Sequence, residues 1–170
     1  VDRLDLRAVP SGKLVRTVED VGAAQFSPDG QTLFFRRHDA LVGLPLKETM
    51  ALNAAIDALL PKLEQALSPS LRAKYEKHSE SIAKEEETDL KNYAHARLNW
   101  LAWNLGDSKA PTRAHLDLAR AAAVLSLMHP SGWDPHTMDT FAMVLARAGD
   151  RKQAKRVESA AVAWCDAMCE

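Results

Sequence analysis

Leu98-Asn99-Trp100-Leu101-Ala102-Trp103-Asn104-Leu105 and Met138-Asp139-Thr140-Phe141-Ala142-Met143-Val144-Leu145 decide the fold. Each octet is apolar at its first, fourth, fifth and eighth positions, which is one face of an α-helix. The second octet lies 40 positions after the first (138 − 98), and Asn99 and Asp139 fall in register. The same displacement pairs Ala114 with Ala154 and Ala121 with Ala161. Recurrence at this period predicts stacked antiparallel helical hairpins, with small residues where two helices approach closely and larger ones filling the layer between hairpins. Gly149-Asp150 ends one helix and opens the next, with Gly at the C′ position, and Gly106-Asp107 is expected in the corresponding place of the earlier hairpin.

Helical patterning extends upstream to about Lys47. Leu52, Ala55, Ile56, Leu59, Leu60, Leu63 and Leu67 form one stripe, which Pro61 is expected to kink or restart. Ser68-Pro69-Ser70 is a break in which Ser68 or Ser70 caps the next helix. That next segment is densely charged, from Arg72 to Glu87, and reads as a solvated face. Glu85 to Asp89 is expected to be a loop before a fresh helix near Leu90.

Residues 1–46 carry a different punctuation. Leu4, Leu6 and Ala8 alternate with Asp5 and Arg7, Pro10 to Lys13 is a turn, and Leu14 to Val18 is β-rich. Phe26-Ser27-Pro28-Asp29-Gly30 leads into Thr32-Leu33-Phe34-Phe35, with Pro presetting φ, Asp bonding the local backbone and Gly accepting positive φ. A short strand from Ala40 to Leu46 completes an antiparallel meander of four to five strands.

The repeat resembles the tetratricopeptide (TPR) family over residues 94–164. Leu101-Ala102, Leu105, Ala114, Leu118 and Ala121 carry the resemblance in the first copy. Phe141-Ala142, Leu145, Gly149, Ala154 and Ala161 carry it in the second, and the octets look like a bacterial subclass of that family. Residues 26–33 resemble the strand-turn-strand core of a β-propeller blade of the WD40 or TolB-like kind, and residues 4–18 look like the outermost strand of a preceding blade with its link onward. One blade does not close a propeller.

The groove of a stacked-hairpin array binds extended peptides or helices. By register its lining falls to Arg97, Asn99, Trp103, Asp139, Met143 and Arg147, with Asn99 and Arg97 suited to a peptide backbone or carboxylate. Trp100 and Trp103 lie three apart, so one is expected between hairpins and the other on the groove.

Catalytic patterns are lacking. None of the phosphate-cradling, dinucleotide-binding or nucleophile-elbow glycine motifs occurs, and His38, His78, His95, His115, His129 and His136 form no zincin pair. His129 and His136 flank a loop with Trp133 and Asp134, which reads as punctuation at a helix start rather than as a metal or substrate site. Cys165 and Cys169, four apart, would share a helical face. They read as a small core hydrophobe and a terminal residue, with a metal or redox module as the minor alternative. With 22 Lys and Arg against 23 Asp and Glu the net charge is −1, which disfavours nucleic acid, and no apolar run is long enough to span a membrane.

The expected molecule is thus mostly α (α+β overall), with a β-meander over residues 1–46 and a TPR-like helical array over residues 47–170. It reads as a non-enzymatic protein-protein interaction scaffold without cofactor or metal. Its partner is a protein or peptide, and its compartment is left open with the cytoplasm slightly favoured. The alternative is a C-terminal regulatory segment of a larger enzyme or signalling protein, since the chain opens on Val1 without a signal-peptide pattern and carries a lone blade. An apolar flank around Val162 and Trp164 is expected to be covered by a partner or by a second copy in a homodimer.

Overall fold

The computed structural model describes residues 3–7, 14–19, 21–37, 40–85, 94–129 and 134–168. The chain is mostly α, with antiparallel strands first: β1 (Arg3–Arg7), β2 (Leu14–Glu19), β3 (Val21–Phe26), β4 (Thr32–Arg37) and β5 (Ala40–Pro45). Six helices follow: α1 (Leu46–Ala66), α2 (Pro69–Glu85), α3 (Ala94–Gly106), α4 (Arg113–Met128), α5 (Pro135–Arg147) and α6 (Arg151–Met168). The expected loop at Glu85 to Asp89 and restart near Leu90 fall, but for Glu85, outside the described residues. No helix among the described residues is long and apolar enough to cross a membrane. The chain divides into two compact units, residues 1–55 and 56–170, the division falling inside α1.

In the first unit the strands form two sheets rather than one meander: β1 pairs with β2, and β3-β4-β5 form a three-stranded sheet. β2 ends one residue before β3 begins, a spacing too short for a hairpin between them. Val21, Leu33, Phe35 and Leu44 make the core of the larger sheet, with Leu4 and Leu6 of β1 packed against it. The Ser27–Gly30 turn folds as its residues dictate. The Ser27 hydroxyl donates to Asp29 Oδ1 (2.6 Å), the Gln31 N–H donates to the same oxygen (3.0 Å), and Gly30 sits at φ 69°. These hydrogen bonds, that from Ser27 foremost, hold the Asp29 carboxyl below its ordinary value.

In the second unit α3 packs on α4 and α5 packs on α6. The Ser126 hydroxyl near the end of α4 donates to the His95 carbonyl at the start of α3 (2.8 Å), which fixes those helices antiparallel. The C-terminal ends of α3 and α5 meet through Arg147 and Asp107 (3.0 Å), which lie 40 positions apart, so the repeat interval is also a physical contact. Leu98, Leu101, Ala102 and Leu105 are buried, as are Met138, Ala142, Val144 and Leu145, while Phe141 is half-buried.

The second helix of each hairpin departs from the 40-residue register. Ala154 and Ala161 are buried in α6, but their expected counterparts Ala114 and Ala121 are exposed on α4. Thr112 caps α4, its hydroxyl accepting the His115 N–H, and Asp150 caps α6, its carboxylate accepting the Gln153 N–H. These caps lie 38 positions apart (150 − 112), because the α4 cap follows the start of its octet by two residues more than the α6 cap does (112 − 98 = 14 against 150 − 138 = 12). Buried Leu116 and Ala123 therefore match Ala154 and Ala161.

The two glycines expected as equivalents also differ. Gly149 is a C′ residue at φ 93°, with the Asp150 N–H returning to the Leu145 carbonyl (2.9 Å). Gly106 is the last residue of α3, has no positive φ, and lies against Val144 and Met143 of α5. Helix α1 runs through Pro61 unbroken, and Ser68 supplies the cap of α2. Of the α1 stripe, Ile56, Leu63 and Leu67 are buried, Leu52, Leu59 and Leu60 half-buried, and Ala55 exposed.

Candidate functional site

The facing sides of α3 and α5, with α2 alongside, enclose an open cleft of about 650 Å³. Its α3 wall is the stripe Ala96, Asn99, Trp100, Trp103 and Asn104, and its α5 wall is His136, Asp139 and Thr140. These recur at three and four, so each wall is one helical face. Trp100 is held by α2: its ring lies 5.5 Å from both Tyr75 and cleft-lining His78, stacked on the latter. Trp103, one turn on, is 38% exposed. The Asn104 amide donates to the Trp100 carbonyl (2.8 Å), and the Thr140 hydroxyl donates to the His136 carbonyl (3.0 Å).

Two acceptors stay unused. Asn99 Oδ1 is closed off from solvent and has no hydrogen-bond partner. The Asp139 carboxylate is exposed and makes no ion pair among the described residues. The enclosed Asn99 oxygen without a partner costs about 1–3 kcal/mol. Together Trp103 and Asp139 offer an aromatic platform beside an exposed carboxylate.

Three of the six residues expected to line the groove do so: Asn99, Trp103 and Asp139. The other three lie elsewhere. Arg97 turns toward α1 and α2, donating to the Tyr75 hydroxyl (2.8 Å) and to Glu64 (3.0 Å). Two residues along a helix is a rotation of about 200°, so Arg97 and Asn99 cannot share a face. Met143 is half-buried beside Gly106. Arg147 pairs with Asp107 at the helix ends. Sequence reading missed His78, Asn104, His136 and Thr140 on the cleft. The three-and-four rule extended from Asn99 and Asp139 finds Asn104 (through Trp100), His136 and Thr140's face, but nothing in the sequence brings α2 there.

The Tyr75 hydroxyl completes a network with Arg97 and Glu64 where α1, α2 and α3 meet. Burial raises its pKa, against the opposing effect of Arg97. His95 and His129 stack at 5.3 Å, with His129 buried, and His136 is exposed. Cys165 is exposed on α6, not a core residue, and Cys169 lies outside the described residues, as does Trp133. Among the described residues no group of three or more His, Cys, Asp or Glu is placed to hold a metal ion. Val162 and Trp164 are 56% and 40% exposed.

No protein-family model, curated protein or solved structure matches the chain.

Proposed function

We propose that the chain is a non-enzymatic interaction scaffold that holds an extended peptide or a helix of a partner protein in the cleft between α3 and α5. The observation that carries this reading is the cleft wall itself, on which exposed Trp103 and the exposed, unpaired Asp139 carboxylate stand together beside Asn99. An apolar or cationic side chain of the partner lies on Trp103, and a basic group meets Asp139. The parallel stacking of α3 on α5 at a 40-residue interval supports a TPR-like array, in which the first helix of each hairpin lines the binding groove.

A second reading rests on the division of the strands. A two-stranded and a three-stranded sheet joined by one residue suit the outer part of one propeller blade followed by the inner strands of the next. On that reading the chain is a regulatory segment of a longer polypeptide, and the cleft acts in cis.

The test is capture from the source lysate with quantification by mass spectrometry, using the wild type, Trp103→Ala, Asp139→Lys and Arg147→Ala as baits. A partner lost from the first two variants and kept by Arg147→Ala supports the scaffold reading. A partner indifferent to all three places binding elsewhere and refutes it. An empty capture refutes binding in trans and favours the second reading.

A further inference from the structure

A second cleft, of about 630 Å³, lies across α5 between α4 and α6. Its floor is apolar: Leu127 of α4, Met138 and Phe141 of α5, and Val157 of α6. Its rim carries Lys152 and Arg156. These two belong to a run of four cations, Arg151, Lys152, Lys155 and Arg156, in the first six residues of α6. All four are exposed, and none makes an ion pair among the described residues. The one carboxylate on this rim, Asp150, is committed to capping, since it accepts the Gln153 N–H. The first turn of α6 holds no acidic residue, so the cations face the positive end of the helix dipole, where positive charge is unfavourable. Apolar floor and unpaired cationic rim together define the complement: an apolar stripe flanked by carboxylates.

We infer that the α4/α5/α6 cleft docks an acidic amphipathic helix of a partner protein, with its apolar residues on Met138, Phe141 and Val157 and its carboxylates on Lys152 and Arg156. The α6 wall runs from Gln153 to Ala160, two turns or roughly 10 Å, which suits a helix presenting anchors at i, i+3/i+4 and i+7. This surface is separate from the α3/α5 cleft, and the inference does not rest on the function proposed for that cleft.

The probe is a fluorescein-labelled, stapled helical peptide with Leu on one face and Glu on the other, followed by anisotropy. A counterpart with Lys for Glu is the control. The acidic peptide is expected to bind about tenfold or more tighter than the basic one, and the Lys152→Glu/Arg156→Glu pair is expected to reverse that order. Both substitutions are at exposed positions. Val157→Lys, checked for an unchanged far-ultraviolet spectrum, is expected to abolish binding by filling the floor, while Trp103→Ala leaves it unchanged. Equal affinity for both peptides, or no loss on charge reversal, overturns the inference. Loss on Trp103→Ala without loss on charge reversal assigns the peptide to the other cleft and also overturns it. A wild-type dimer dissolved by the charge reversal, in sedimentation without peptide, assigns the surface to a second copy. Retention on anionic vesicles without affinity for the acidic peptide assigns it to a membrane surface. Either of these results rejects a helical partner.

Discussion

Replacing Gly106 by Ala puts one methyl group where α3 touches α5. A Cβ built there lies 2.9 Å from Val144 Cγ2 and 3.1 Å from Met143 Cε. The methionine terminus can turn away. Val144 cannot, because it is fully buried and its β-branched side chain has one strongly preferred helical rotamer. Overpacking of this kind costs about 1–3 kcal/mol. Removing a glycine from a helix returns about 0.5–1 kcal/mol through helix propensity and unfolded-state entropy. The net expectation is a loss between about 0 and 2.5 kcal/mol, centred on about 1 kcal/mol, which is roughly 2–4 °C in Tm for a chain of this size. Urea unfolding followed at 222 nm measures it. The double variant Gly106→Ala/Val144→Ala isolates the contact, and the pair should couple by about 1 kcal/mol, since the smaller residue makes room for the new methyl. Stability above wild type for Gly106→Ala, or strict additivity in the double variant, would refute close packing of these helices at this point.

Two further outcomes follow from the local geometry. Burial raises the Tyr75 pKa in the folded chain, so its share of stability is intact below the unfolded value of about 10 and is lost as pH rises through the folded one; urea midpoints at pH 8 and pH 11 should therefore show the gap between wild type and Tyr75→Phe narrowing at the higher pH. Asp134 caps α5 with two hydrogen bonds, to the Thr137 N–H (3.0 Å) and the Thr137 hydroxyl (2.6 Å), whereas Thr112 caps α4 with one at 3.2 Å, so Asp134→Ala should cost more than Thr112→Ala, about 1–2 against about 0.5–1 kcal/mol by denaturant unfolding.

The helical framework was legible because its signals are local. Apolar spacing marked α3 and α5, and Ser68 and Gly149 marked helix ends by chemistry that does not depend on tertiary context. What failed needed lengths or neighbours that periodicity does not carry. The two extra residues between the start of the first octet and its following cap shift α4 against α6, so alanines matched at 40 positions face different environments, and only the caps at Thr112 and Asp150 reveal the true offset. Gly106 looked like a helix terminator, but it is there because Val144 lies against it, a contact between residues 38 positions apart. The single residue linking β2 to β3 forbids a hairpin, and counting it would have split the meander in advance. At the α3/α5 cleft, Asn99, Trp103 and Asp139 are brought together, whereas Arg97, two residues from Asn99 on the helix, turns away. Its partners Glu64 and Tyr75 lie on α1 and α2, whose packing against α3 no short-range pattern encodes.

A photo-crosslinking residue at position 103, compared with one at exposed Asp117 on α4, tests the peptide cleft most directly. Irradiation in the source lysate should yield one dominant protein adduct from position 103, suppressed by Asp139→Lys and absent from position 117. Equal adducts from both positions, or an adduct at 103 that Asp139→Lys leaves unchanged, would contradict a binding cleft between α3 and α5.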